Sequence, residues 1–219
     1  MRKGMRLIMK KVLFVCLLVL SQSFALTLEQ VRSDLKKSMV SADSVEVKME
    51  MTVNSIAGQL KTTVYVAQKG IEECYTEIRN DQIQQRSVVN GDRIKIIDLK
   101  NKTSKVLPYN GEVLEAQTYT NFNPLASGNW SEPVFFSDGV YLIKDNSSIV
   151  YYDNKKKRIE KMEITEHDRS VFTRFDYDGN NNLKTMTMSV YVGDVVTTIT
   201  IDIVLLRNSS KLPDLIFEI

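Results

Sequence analysis

The chain of 219 residues is poor in the residues that carry most enzyme chemistry: one histidine, two cysteines, one tryptophan, four prolines and nine glycines. One His with two Cys argues against a structural zinc site of the usual Cys/His kind and against a His-based catalytic triad on known patterns. No G-x-x-x-x-G-K, G-x-G-x-x-G or G-x-S-x-G arrangement occurs, so phosphate cradles and nucleophile elbows lack support. No apolar run approaches the ~20 residues of a membrane-spanning helix; the longest covers residues 12–20. A hydrophobic fraction of 43% with 26% charged residues excludes disorder and collagen. Acids are missing altogether from the first 25 residues.

That last absence is informative. Arg2, Lys3, Arg6, Lys10 and Lys11 precede the short apolar run, and Ser23-Phe24-Ala25 follows with small residues at the −3 and −1 positions. This is the pattern of a secretory signal peptide over 1–25, cleaved after Ala25, with a single domain over 26–219. Cys16 lies inside the apolar run behind Val15, so lipid modification there is not expected. The formal charge of +2 belongs to the leader: removing its five cations leaves 24 against 27 acids, a net of −3. A slightly acidic exported domain is no nucleic-acid binder. Cys74 is left alone, so no intramolecular disulfide staples the chain and a hydrophobic core must hold it. The expected destination is the periplasm, the expected state a monomer, and no cofactor or metal is called for.

The mature chain opens on one helix. Thr27-Leu28-Glu29-Gln30 has the T-x-x-Q form of a capping box, and Leu28, Val31, Leu35 and Met39 form one apolar stripe. Ser41, Ala42 and Asp43 should end it. The period then changes to two: in residues 45–53 every odd position is apolar and every even one polar. Further strand patterns cover 60–66, 73–79, 86–89, 93–99, 104–107, 140–144, 149–153, 158–165, 171–177, 183–192 and 195–205. Turn signals such as Asn90-Gly91-Asp92, Asp138-Gly139 and Gly193-Asp194 separate them. The fold class is therefore mainly β, roughly a dozen short strands in an antiparallel sandwich or barrel.

The insert is residues 109–133, which lack alternation but carry Leu114, Phe122, Leu125 and Trp130 among Gly, Asn, Pro and Ser. Its apolar groups suit a cap better than a free surface loop. His167, between Glu166 and Asp168, reads as an exposed turn residue. Asp176-x-Asp178-x-Asn180-x-Asn182 has the oxygen spacing of a calcium loop without its distal Glu, and reads as a hairpin turn. Lys155-Lys156-Lys157-Arg158 is either a solvated turn or a contact for anionic lipid or an acidic membrane partner.

What is plentiful is apolar surface of an adaptable kind. Met49 with Met51 and Met186 with Met188 are i, i+2 pairs, each lining one face of its strand. Unbranched thioethers specify packing weakly but accommodate variable apolar guests. With a helix and an insert to cover such a face, a lipid cavity is expected, lined by Val47, Met49, Met51, Val64, Val66, Ile94, Ile96, Met186 and Met188. The lid would be helix 28–40, through Leu28, Val31 and Leu35, with Leu114, Phe122, Leu125 and Trp130 of the insert.

The opening TLEQVRSDLKKSMVSADSVEVKMEMTV, the following TTVYVAQKG and VVNGDRIKIIDLKNKTSKVLPY, and the late FDYDGNNNLKTMTM and LPDLIFEI resemble LolA-like periplasmic lipoprotein carriers. The resemblance implies a mainly β fold, a half-open antiparallel barrel of about eleven strands covered by the N-terminal amphipathic helix and a lid insert, that shields the acyl chains of lipoproteins in transit to the outer membrane. It also implies acylated lipoproteins or lipids as cargo, an inner-membrane release complex and an outer-membrane receptor as partners, and a chaperone rather than an enzyme. In such carriers an Arg-Pro after an early strand helps latch the lid; here Gln68 stands where that Arg would fall. The alternative is an envelope protein-binding or scaffold domain, sensor-like, without lipid cargo.

Overall fold

The computed structural model describes residues 26–38, 44–111, 123–208 and 212–219. They contain one helix, α1 (Leu28–Ser38), and thirteen strands. The first six are β1 (Ser44–Ser55), β2 (Gly58–Lys69), β3 (Glu72–Arg79), β4 (Gln82–Asn90), β5 (Arg93–Asp98) and β6 (Thr103–Pro108). The other seven are β7 (Val134–Ser137), β8 (Val140–Lys144), β9 (Ser148–Asp153), β10 (Arg158–Glu166), β11 (Arg169–Tyr177), β12 (Leu183–Val192) and β13 (Val195–Asn208). A 3-10 helix at Asp214–Phe217 follows. Alternation marks twelve of these thirteen strands, one more than the about eleven expected for the barrel. It overlooks β7, whose four residues are broken by a bulge between Phe135 and Ser137.

All thirteen strands belong to one sheet in the order β6-β5-β4-β3-β2-β1-β13-β12-β11-β10-β9-β8-β7. Every neighbouring pair is antiparallel, and β6 and β7 are the two edges of a sheet that does not close. Hairpins make this order, and their turns have the chemistry hairpins need. Asn80, Asp81, Asp138 and His167 hold positive φ, the left-handed region that Asn and Asp tolerate best.

Helix α1 begins as its capping box dictates: the Gln30 amide donates to Thr27 Oγ1 at 3.2 Å and the Thr27 amide to Gln30 Oε1 at 2.9 Å. Glu29 in the first turn and Lys36 and Lys37 in the last complement the helix dipole. Leu28, Val31 and Leu35 are buried against Ile143, Val150, Tyr152, Ile159, Met162 and Phe175 of β8–β11. We call this side of the sheet its inner face. Met39 and residues 41–43 lie outside the described residues.

Antiparallel partners point to the same side, so the pairing carries the inner face across the sheet. Val47 opposes Val66 and Leu206, Met49 opposes Val64 and Ile203, and Ile201 opposes Met186. A second cluster forms there from Val45, Val47, Met49, Val64, Val66 and Ile201, and Met186 packs against both clusters. The outer face has its own core under the C-terminal segment. Leu212 and Phe217 cover Ala67, Cys74 and Val88, which are buried. Arg86 Nη2 donates to the Ile216 carbonyl at 3.0 Å and Asn90 Nδ2 to that of Phe217 at 3.0 Å. Lys69 and Asp214 form an ion pair beside them.

This outer clasp is testable. Phe217→Ala should lower unfolding free energy by about 3 kcal/mol, the usual cost of truncating a buried Phe. It should also open the Cys74 thiol to a thiol reagent under native conditions. Urea titration and thiol-labelling kinetics measure the two effects; unchanged labelling would show that the segment does not guard Cys74.

Candidate functional site

The inner face is not covered evenly. On β1 and β2, Val47, Met49, Val64 and Val66 are 0–4% exposed, whereas Leu60, at the β1–β2 hairpin end, is 45% exposed. Val53, its partner, is half-buried. On β12 and β13, Ile201 is buried, Met188 and Ile199 are half-buried, and Val192 and Val195 at the hairpin end reach 46% and 42%. Register puts Leu60, Val53, Ile199, Met188, Val190 and Val192 on one face. The inner face thus has a filled half, which holds the helix, and an open half, a shallow apolar mouth floored by β1, β2, β12 and β13.

The nine side chains expected to line a cavity all share this face. Val47, Met49, Val64 and Val66 lie deep in the filled half. Met51, Met186 and Met188 are half-buried and pack against that cluster from the open side. Ile94 and Ile96 sit on β5, half-buried, beyond the buried Glu73, the half-buried Ser87 and the exposed Gln85, so they are separated from the methionines by a mixed stretch of β3 and β4. Sequence reasoning missed the mouth itself: Val53, Leu60, Val190, Val192 and Val195. Val53 and Leu60 continue the alternation of 45–53 and 60–66, and Val190, Val192 and Val195 that of 183–192 and 195–205; periodicity gives their face but not their distance from the helix.

Of the expected lid residues, Leu28, Val31, Leu35 and Leu125 are buried in the first cluster and Trp130 packs against it. Leu114 and Phe122 lie outside the described residues. Helix and insert are knitted together. Arg32 Nε donates to the Leu125 carbonyl at 2.8 Å and Nη2 to that of Gly128 at 3.2 Å. Glu132 Oε2 accepts the Leu28 amide at 2.9 Å. Gly128 has φ +96°, and a Cβ there would meet the Trp130 indole nitrogen at 3.2 Å, so glycine is required.

Asp34 ties the helix to the sheet. Its Oδ2 accepts the Tyr152 hydroxyl at 3.1 Å and pairs with Lys157 Nζ at 3.0 Å. Burial and the Asp34 charge push the Tyr152 pKa upward, so the phenol stays a donor. Lys157 therefore has a structural task in the four-cation run. Lys156 pairs with Asp153 and Glu160, and Arg158 pairs with Glu160 and stacks over the Tyr177 ring at 4.2 Å. The turn itself is held by Asp153, whose Oδ1 accepts the amides of Lys155 and Lys156 at 2.8 and 3.0 Å. Burial raises the Asp153 pKa, but those amides and the Lys156 ammonium outweigh it and keep the carboxyl below its usual range.

Other sequence features resolve simply. His167 is exposed at the β10–β11 turn. Asp178 spends Oδ1 on the amides of Asn180 and Asn182, both at 2.8 Å, as a hairpin turn does. Gln68 is half-buried on the inner face and donates to the Gly70 carbonyl at 3.3 Å, bracing the β2–β3 turn. Among the described residues no three His, Cys, Asp or Glu side chains gather as metal ligands. No described helix is long and apolar enough to cross a membrane. The open half offers apolar contact to a guest.

No family model matches the chain, and no curated protein matches its sequence. Solved structures do. A LolA superfamily protein from Nitrosomonas europaea superposes with a TM-score of 0.59 at 14% identity, over 89% of this chain and 98% of that one. The fold is LolA-like. A DUF1329 family protein from Desulfovibrio piger gives 0.57 at 11% identity, over 86% and 95%. A domain proposed as an outer membrane lipoprotein-sorting protein, from Vibrio parahaemolyticus, gives 0.55 at 13%, over 87% and 95%. Identities this low establish the LolA-like architecture, a mainly β sheet left unclosed with a helix on its inner face.

Two expectations follow from the helix anchor. Asp34→Ala leaves the buried Tyr152 hydroxyl without its acceptor, at a cost of about 1–3 kcal/mol, and amides of α1 should exchange with deuterium markedly faster than those of β1. Equal protection of α1 in variant and wild type would remove Asp34 as its anchor. Asp153 gives a pH signature: a carboxyl depressed on folding stabilises above its unfolded pKa of about 4, and that contribution is lost as pH falls through the lower folded value. Asp153→Asn should be less stable at neutral pH and lose less stability than wild type from about pH 5 to about pH 3, read by thermal unfolding.

Proposed function

We propose that the protein is an exported, periplasmic carrier that shields acyl chains on its inner face, its cargo being acylated lipoproteins or lipids. One observation carries this reading: from the filled half to the mouth the inner face is mainly apolar, interrupted by Thr62 and Thr197, yet Leu60, Val192 and Val195 remain 42–46% exposed at its rim. A core ends at a polar boundary; an apolar face that runs out to the solvent is a site for an apolar guest. Half-buried Met51 and Met188 stand between the two regions, and their flexible thioethers can repack around chains of different length. Each methylene moved from water onto this surface is worth ~0.8 kcal/mol, so partial burial of one acyl chain suffices for useful affinity.

The LolA-like fold, and the likeness to a LolA superfamily protein and to a lipoprotein-sorting domain, support the same reading, as does the leader expected over residues 1–25. A release complex at the inner membrane and a receptor at the outer membrane belong to this proposal as the partners such a carrier requires. Its role is binding and transfer, with the residues of α1 and of 123–133 as the elements that cover the guest. The scaffold reading draws on the deep burial of Val47 and Val66 and predicts that no lipid accompanies the protein.

Mass spectrometry of organic extracts from protein purified under native conditions decides between them. Acyl lipid at near-stoichiometric amounts is expected, together with binding of a fluorescent fatty acid. Met51→Glu with Met188→Glu should weaken that binding by at least about tenfold, since a carboxylate is costly to desolvate beside an acyl chain, while the far-UV spectrum stays β. Protein that carries no acyl lipid and binds no fatty acid would refute the carrier reading.

A further inference from the structure

The two edges of the sheet are unlike. On β6, Val106 and Leu107 are exposed but stand beside Lys105 and Pro108, the usual protections of an edge. On β7, Val134, Phe135 and Phe136 are 63, 62 and 59% exposed and the strand contains no charge and no proline. Its rings are displayed on both sides. Phe135 meets Tyr141 edge-on at 5.6 Å, and Tyr141 opposes Tyr152 of the inner face. Phe136 meets Tyr151 at 6.1 Å, and Tyr151 lies under the Lys161 ammonium at 3.7 Å on the outer face.

An added strand is a poor match for this edge. Four residues broken by a bulge between Phe135 and Ser137 offer a short, interrupted ladder. A partner seated on one face would leave the rings of the other in water. A bilayer surface surrounds an edge and reaches both. Two cations beside β7 are placed to meet lipid phosphates. Lys144, at the end of β8, and Lys155, whose stem lies across Gly139 of the β7–β8 turn, are exposed and have no ion pair among the described residues. The acids nearby keep their charge but face other groups: Glu163 the Lys161 ammonium, Asp145 the amides of Ser147 and Ser148, and Glu132 that of Leu28. Asp138, exposed in the β7–β8 turn, works against an anionic surface. Tyrosines and lysines flanking apolar side chains are the composition of a membrane-interface anchor.

We propose that β7 docks the protein reversibly on an anionic lipid surface, with Phe135 and Phe136 entering the headgroup region and Lys144 and Lys155 contacting lipid phosphates. This goes beyond the carrier reading and does not require it.

Co-sedimentation of the cargo-free mature chain with vesicles tests the proposal, comparing phosphatidylcholine alone with phosphatidylcholine containing phosphatidylglycerol. Binding to the anionic vesicles is expected, weakening with salt. Phe135→Ser with Phe136→Ser should lower it at least about tenfold. Lys144→Gln with Lys155→Gln should lower it by about fivefold per cation and abolish the preference for phosphatidylglycerol. Phe172→Ser with Tyr191→Ser removes a comparable exposed ring pair four strands away and should change nothing. Absent binding to anionic vesicles, or equal losses from the edge and control pairs, would overturn the assignment. So would a dimer in light scattering that the edge variant converts to monomer, which gives β7 to a second copy of the chain. Fatty-acid binding by the same variants should be unaltered, so failure at the edge and failure at the inner face are read separately.

Discussion

A sheet thirteen strands wide, with an inner face apolar over much of that width, cannot be covered by one helix of eleven residues, and the rest of the structure follows from that mismatch. At ~4.8 Å between strands the sheet is about 58 Å across its backbone, whereas α1 is about 17 Å long. Curling shortens the distance, but β6 and β7 stay unpaired. The helix fills the part over β8–β11, and apolar side chains of β1, β2 and β13 pack on one another next to it. Toward the Ile56 and Gly193 hairpin tips the same face runs out into solvent. Filled half and open half are consequences of one shortage of covering material.

The cover that does exist is fixed by polar groups at its edge rather than by burial alone. Asp34, Arg32 and Glu132 each join α1 to a different segment, through Tyr152 and Lys157, through the Leu125 and Gly128 carbonyls, and through the Leu28 amide. Such bonds are individually modest and directional. They hold the helix in one place without making it inseparable from the sheet. Gln68 serves the β2–β3 turn, and the fastening of the helix lies on the other half of the sheet, at Tyr152 and Lys157.

Much of this was legible in the chain, for identifiable reasons. Period-two alternation is a local signal, so β1 and the inner-face assignment of Val47 to Met51 could be read directly, as could the capping box at Thr27 and Gln30. What alternation cannot carry is distance across the sheet. It could not say that Ile94 lies beyond a mixed strip from Met188, nor that Leu60 stands in the open while Val64 is buried four residues away. Lys157 looked like part of a solvated run because its partner, Asp34, is 123 residues earlier in sequence. The β7 strand was invisible because a bulge erases the period on which recognition depends, and the outer clasp because four residues of 3-10 helix are too few to display a period.

The order of the strands has a consequence in time. β1 and β13 are neighbours at the centre of the sheet, with Val45 beside Asn208, so the seam joining the two halves closes only when both ends of the mature chain are present. Each half is a series of hairpins that can form early, but the central ladder is a contact of very high sequence separation, which slows folding. A chain built this way leaves its apolar face unassembled until synthesis is complete. For the exported carrier proposed above, late closure would keep the chain threadable through a membrane.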